Sequence, residues 1–280
     1  MDTVAITGAN RGIGLATAEL LASQSHRVVM ICRDRERGRA ALAKLAPLPD
    51  GDEHHLVVAD LASLASVREG AGQILALGHP LAALVNNAAV LPKRRRVSRD
   101  GFELQLAVTH LGHFLLTNLL LPLLGGYEGP SRVVTISSAA HDGPAFDLSD
   151  PSFERRRYGK LVAYQQSKLA NVLFTEALAR RTSGDGIEPV ALHPGVYDTQ
   201  LLRDYMGGGW GTGTAARVLG NNPEQAAPIV AKLAVGRRDE TLGGAYLEQG
   251  KVAEPSVHAR DRAAQEALWE WSEEAVATHG

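Results

Sequence analysis

Residues 3–22 read TVAITGANRGIGLATAELLA. A short β-prone run, Thr3 to Thr7, breaks into a turn with glycines at positions 8, 12 and 14, and a helical period begins immediately afterwards. Strand, glycine turn and helix start together make a diphosphate site: bare backbone admits the anion closely, and the unpaired amides of a helix N-terminus point at it. A tight strand-to-helix connection is the plain alternative, and three glycines out of context decide little. The rest of the chain supplies the context.

Six further apolar runs follow, RVVMIC, HLVVAD, AALVNN, RVVTIS, PVALH and GAYLE, among helical periods near 13–24, 35–45, 63–76, 100–123, 159–182 and 222–236. Strands apolar along most of their length and separated by helices predict an α/β fold, a single Rossmann-like, doubly wound parallel sheet with helices on both faces. Residues 1–280 are expected to form one dinucleotide-binding catalytic domain. A final segment, about 258–277, reads as a helix that docks Leu268, Trp269 and Trp271. Sheets of this type bind ligands beyond the carboxyl ends of their strands, so the residues just after each strand are the ones to inspect.

Composition excludes several functions. The net charge of −2 offers no broad field for nucleic acid or an acidic membrane surface. Cys32 is the single cysteine, which leaves no disulfide framework, fits a reducing compartment and suggests a small buried filler. The first apolar run comes too early for a secretion signal, and LLTNLLLPLL, interrupted by Asn118 and Pro122, falls short of the ~20 residues of a membrane span. The expectation is a cytoplasmic protein without a membrane anchor. His110 and His113, three apart on a helical period, share a face as metal ligands do, but they lack nearby carboxylate or cysteine partners, and no metal is expected. The basic loop PKRRRVSRDG reads as a solvated turn or an anion contact. The glycine-rich YMGGGWGTGTAARVLGNNP reads as a slack loop or a mobile cover over a site.

The strand ends carry the chemistry. After the second strand, ICRDRERG places Arg33 and Arg37 where arginine forks would hold a 2′-phosphate together with Arg11. NADP(H) is therefore preferred, with NAD(H) kept open by Asp34. In AYQQSKLANVLFTEAL, Tyr164 and Lys168 are four apart on a predicted helix and project toward one site, and Ser138 ends the fifth strand in VVTISSAAH. Reducing a carbonyl requires a hydride and a proton. A tyrosine with a free pKa of ~10 can supply the proton near neutrality only if a neighbouring ammonium favours its phenolate. Tyr164 then serves as general acid or base, and Ser138 bonds the substrate oxygen.

These stretches resemble the short-chain dehydrogenase/reductase family. The resemblance assigns Gly8, Asn10, Arg11, Gly12, Ile13, Gly14, Asp60, Leu61, Asn87, Ala88, Ala89, Pro194, Gly195, Val196 and Thr199 to cofactor binding, with Lys168 also on the nicotinamide ribose. Asp60 has the alternative role of capping the next helix. Ala89 departs from the family's Asn-Asn-Ala-Gly. Thr109, in VTHLGHF, stands where the family has a catalytic asparagine that helps hold a water in a proton relay. HLGHFLLTNLLLPLL, YQQSKLANVLFTEAL and LWEWSEE are similar to the retinol-dehydrogenase-like and protochlorophyllide-reductase-like branch, which handles bulky apolar carbonyls and alcohols.

The expected activity is NADP(H)-dependent hydride transfer to or from a small, largely apolar carbonyl or alcohol, as in a tailoring step of secondary metabolism. A variable substrate loop is expected at about 200–221, and a homodimer through the helices near 100–123 and 159–182. The alternative is an NADPH-binding protein with weak or lost catalysis that acts as a sensor or partner.

Overall fold

The computed structural model describes residues 1–195, 222–236 and 242–278. Eight strands form one sheet: β1 (Thr3–Thr7), β2 (Arg27–Cys32), β3 (His55–Val58), β4 (Ala83–Asn86), β5 (Ser131–Ile136), β6 (Ile187–His193), β7 (Tyr246–Glu248) and β8 (Lys251–Ala253). Their order is β3-β2-β1-β4-β5-β6-β7-β8, parallel except for the antiparallel β8 at the edge. This is a Rossmann-like fold, as the alternation of apolar runs predicts. The edge hairpin is the exception. β8 spans only Lys251–Ala253 and faces solvent, so it carries no apolar run that a sequence reading could detect.

Seven helices among the described residues cover the sheet: α1 (Gly12–Ser23), α2 (Arg35–Leu42), α3 (Leu64–Ala76), α4 (Leu104–Gly125), α5 (Lys160–Arg181), α6 (Ala227–Val235) and α7 (Arg262–Ala277). Strand residues alternate between two cores because successive side chains point to opposite faces. Val4 and Ile6 of β1 pack with Leu21 of α1 and Val230 of α6, whereas Ala5 packs with Val67 of α3, Phe114 of α4 and Phe174 of α5. Burial on both faces explains why β1, β2 and β5 each carry a run of consecutive apolar residues instead of an alternating pattern.

The helix starts are set by short side chains. Asp34, Ser63 and Asp261 cap α2, α3 and α7, each accepting a backbone N–H of the first turn; such a cap contributes about 1 kcal/mol. Asp60 does not cap α3; its carboxylate accepts the Ala62 amide at 3.0 Å inside the preceding turn. The docking helix begins at Arg262, later than the expected 258, because Asp261 takes the capping position. Its Leu268 and Trp269 are buried and Trp271 half-buried, with Trp269 edge-on to Phe114 at 4.8 Å.

α4 corrects the membrane argument made from the sequence. As a complete helix of 22 residues it is long and apolar enough to cross a membrane, but 72% of its apolar window is buried inside the fold. It is a core helix. Its Gly112 lies against the turn after β3, where an added Cβ would come within 2.7 Å of the Leu61 carbonyl oxygen.

Candidate active site

A cavity of about 800 Å³ opens at the carboxyl ends of the strands, where the winding reverses between β1 and β4. Its nucleotide side is built from backbone. Gly8 and Gly12 have φ of +65° and +56°, which turns the chain from β1 into α1. An added Cβ at Gly14 would lie 2.6 Å from Asn87 Nδ2 and 2.7 Å from the Gly8 carbonyl oxygen, so this glycine lets the helix close on the turn. Gly14 stands behind the cavity wall; Gly8, Asn10, Arg11, Gly12 and Ile13 line it.

Thr7 ties the turn to the end of β4. Its Oγ1 accepts the Asn87 and Ala88 amides at 2.9 and 3.0 Å, and Asn87 Nδ2 donates to the Thr7 carbonyl at 2.8 Å. Asn87, Ala88 and Ala89 line the cavity, as do Asp60 and Leu61 after β3. Arg11 sits at the N-cap of α1 without a side-chain cap bond, so its own side chain does not compete for the first helical amides. A glycine cradle beside uncapped amides fits a dinucleotide diphosphate.

Beyond β2, Arg33 and Arg37 line the same cavity. Asp34 lines it too, but its carboxylate accepts the Arg37 amide at 2.9 Å as the cap of α2 and lies 3.8 Å from the Arg37 guanidinium. Two arginines thus flank a carboxylate already engaged by a helix start.

The other side of the cavity is built from side chains. Ser137 and Ser138 follow β5 with different duties. Ser137 Oγ is buried and donates to the Lys168 carbonyl at 2.9 Å, while Ser138 is half-exposed to the cavity and its Oγ accepts the Ala140 amide at 3.2 Å. Tyr164 and Lys168, one helical turn apart on α5, both line the cavity. Lys168 Nζ is 5.8 Å from the Tyr164 ring centre and donates to the Ile136 carbonyl at 2.8 Å. Burial pushes the Lys168 ammonium down to about 7. Pro194 and Gly195 close the wall after β6; Val196, Thr199 and the loop at 200–221 lie outside the described residues.

Thr109 does not line the cavity. It sits fully buried in a π-helical turn, Ala107–Leu111, inside α4, and its Oγ1 has no hydrogen-bond partner among the described residues. Such turns concentrate at functional positions. The two histidines beside it serve the fold. His113 Nδ1 donates to the Thr109 carbonyl at 2.9 Å, which leaves Nε2 to accept the Thr7 hydroxyl at 2.8 Å. His110 Nε2 meets Ser272 of α7 at 2.8 Å. Burial pushes both imidazoles down, to about 4 for His113 and about 3 for His110, so both are neutral. Among the described residues no cluster of His, Cys, Asp and Glu could hold a metal ion.

Two residues absent from the sequence reading support the site. His141 accepts the Ser256 amide at its Nε2, 3.0 Å, so its Nδ1–H donates to the Ser138 carbonyl at 2.8 Å and fixes the serine turn to the C-terminal segment. Asn171 Nδ2 donates to the Ile136 carbonyl at 3.0 Å, the same oxygen that Lys168 uses. Asn171 lies one turn beyond Lys168 on the same predicted helix face, a spacing that could have flagged it. His141 has no comparable signal, because its partner is 115 residues away.

A doubly wound sheet with a glycine cradle at its switch point and a Ser-Tyr-Lys group facing it defines a nicotinamide-dependent oxidoreductase class. The family comparison agrees: residues 2–206 match the short-chain dehydrogenase model, and the chain belongs to that family. It is 40% identical to human retinol dehydrogenase 13 over 95% of this chain and 82% of that protein. Mouse polyprenol dehydrogenase is 43% identical over 94% of this chain and 80% of its own length. Among solved structures, an uncharacterised protein from Mycobacterium paratuberculosis superposes with a TM-score of 0.79 at 34% identity, covering 99% of this chain and 94% of that one. The chain is thus a short-chain oxidoreductase of the retinol-dehydrogenase-like branch, with a nicotinamide cofactor and a small-molecule substrate.

Proposed function

We propose that the chain transfers a hydride between NADP(H) and a carbonyl or alcohol carbon of a largely apolar small molecule, with Ser138, Tyr164 and Lys168 as its catalytic residues. The bound nicotinamide supplies or takes up the hydride. Ser138 Oγ bonds the substrate oxygen, and Tyr164 Oη gives that oxygen its proton in reduction and removes it in oxidation. Lys168 holds the nicotinamide ribose, and its charge favours the tyrosine phenolate.

The observation that carries this reading is the buried Lys168, held by the Ile136 carbonyl beside the Tyr164 ring. Burial brings Lys168 down to about 7, so its charge is greatest on the acid side of neutrality, and there little solvent screens it from the neighbouring phenol. The preference for NADP(H) rests on Arg33 and Arg37 beside the engaged Asp34, with Arg11 across the turn. The apolar substrate rests on the names of the relatives and on Val90, Val108 and Ile136 in the cavity wall. With its single cysteine buried, the protein is taken as cytoplasmic, and as a homodimer that uses α4 and α5. A tailoring step in secondary metabolism would suit such a substrate.

One observation favours the second reading, an NADPH-binding sensor or partner with little catalysis: the Thr109 hydroxyl lacks a partner among the described residues, at the position where the family resemblance implies a relay asparagine. Cofactor oxidation followed with NADPH and with NADH against a panel of apolar aldehydes, ketones and quinones separates the two. Turnover with NADPH supports the enzyme; tight NADPH binding with no turnover across the panel supports the sensor.

A further inference from the structure

The proposed hydride and proton transfers leave one titratable side chain of the cavity wall without a task. His193 ends β6 and, among the described residues, is the only histidine lining the cavity, which it lines together with Ser138, Tyr164 and Lys168. The sheet fixes its place: the residue stands opposite Glu248 in the β6–β7 register, and its carbonyl accepts the Gln249 amide at 2.8 Å. Nδ1 accepts the Gly195 amide at 3.4 Å, so a neutral ring carries its proton on Nε2, which lies 4.0 Å from Glu248 Oε1. A second proton has only Nδ1 to occupy, and it displaces the Gly195 bond.

Charged and titratable groups face this ring from three elements among the described residues: Glu248 from β7, His141 from the turn after β5 and Lys168 from α5. Both nitrogens of His141 are engaged, by the Ser138 carbonyl and the Ser256 amide. Burial holds the His193 imidazole below its ordinary 6.5 against the pull of the half-exposed Glu248 carboxylate, with His141 and Lys168 adding to the effect. His193 therefore gains its charge only in acid, in the cavity that also holds the catalytic group. The cofactor changes charge as well: an oxidised nicotinamide ring is cationic and a reduced one is neutral. Hydride can reach a carbon whose oxygen is held by Ser138 and Tyr164 only if that ring lies at the same end of the cavity.

We propose that His193 discriminates between the two oxidation states of the cofactor: its neutral imidazole admits the cationic oxidised ring, and its protonated imidazole, backed by Glu248, disfavours that ring relative to the neutral reduced one. The inference rests on the nicotinamide reading proposed above. In acid the site then keeps reduced cofactor and releases oxidised cofactor, which favours carbonyl reduction; near neutrality the bias fades. Like charges sharing a cavity of low dielectric repel by enough to change an affinity about tenfold.

The test is the ratio of the NADP⁺ and NADPH dissociation constants of the full chain, measured without substrate between about pH 5 and pH 8. The ratio cancels whatever the two forms share, including the 2′-phosphate. In the unaltered protein it should rise in two steps as pH falls, one near 7 from Lys168 and a further one of about tenfold below 6.5 from His193. His193→Asn keeps an acceptor for the Gly195 amide and never carries charge, so it should retain the first step and lose the second. Glu248→Gln, on the exposed rim, should move the second step to lower pH, because the carboxylate that favours the charged imidazole is gone. Tyr164→Phe should show the same acid step as the unaltered protein, which separates this result from the proton transfer. Equal acid steps with and without His193, or an acid step that Glu248→Gln leaves in place, would overturn the proposal. Binding of neither cofactor form would remove the nicotinamide reading and this inference with it.

Discussion

The two sides of the cavity are held in place by different means. The nucleotide side is made of main chain: Gly8 and Gly12 at positive φ, Gly14 pressed on Asn87, and the Thr7 hydroxyl pinning two amides after β4. The opposite side is made of side chains reaching across elements: Lys168 and Asn171 on the Ile136 carbonyl, Ser137 on the Lys168 carbonyl, and His141 on the Ser138 carbonyl. A main-chain cradle tolerates almost no added atom, yet it is indifferent to most side-chain chemistry nearby. A side-chain site accepts changes in volume and fails when one polar group is removed.

Gly14→Val challenges the first half of that contrast most severely. Its Cβ would collide with Asn87 and the Gly8 carbonyl, so a loss of about 1–3 kcal/mol in stability is expected, together with loss of measurable cofactor binding. Denaturant titration and cofactor fluorescence read the two effects; unchanged affinity would detach the cradle from the cofactor. The double variant R33A/R37A comes next. Charge-assisted bonds contribute about 1.5–3 kcal/mol, so NADPH affinity should fall by roughly 10- to 100-fold with NADH affinity unchanged, and equal losses for both would refute the 2′-phosphate clamp.

On the side-chain half, Thr109→Asn should keep or raise carbonyl reduction by a few-fold. The amide would give the π-helical turn a donor and an acceptor where the threonine hydroxyl has no partner. A large fall in kcat with NADPH affinity intact would instead give threonine a dedicated role. The smallest effect concerns pH. His113 is held down to about 4 against an ordinary 6.5, so in acid the unfolded chain takes up a proton that the folded chain refuses. Its share of stability is complete above pH 6.5 and declines as pH falls toward 4; His113→Gln should flatten the urea-midpoint profile in that window. A steeper profile in the variant would count against the Thr7–His113–Thr109 bridge.

The same contrast explains what the sequence could disclose. Strands buried on both faces write themselves as apolar runs, and the glycine turn writes itself as a spacing, so the sheet and the nucleotide side were legible. Tyr164 and Lys168 were legible because one helix carries both. His141 was not, since its role depends on Ser256 arriving from the far end of the chain. Asp34 keeps NAD(H) open in the sequence, and the folded chain adds that one of its carboxylate oxygens caps α2 while the residue lines the cavity. The two histidines of α4 share a helix, as their spacing suggests, but neighbours divide their work, His113 toward β1 and His110 toward α7. The basic loop reads as isolated because Ser152, the residue that its Arg95 bonds, lies 57 positions away.

The central claim is that Tyr164, beside the buried Lys168, moves the proton while the glycine cradle holds the cofactor. Steady-state reduction by Tyr164→Phe, paired with an NADPH binding titration of the same protein, tests it most directly. The account predicts unchanged cofactor affinity and a turnover reduced by about 10²- to 10⁴-fold. Undiminished turnover in a folded, cofactor-binding Tyr164→Phe protein would contradict it.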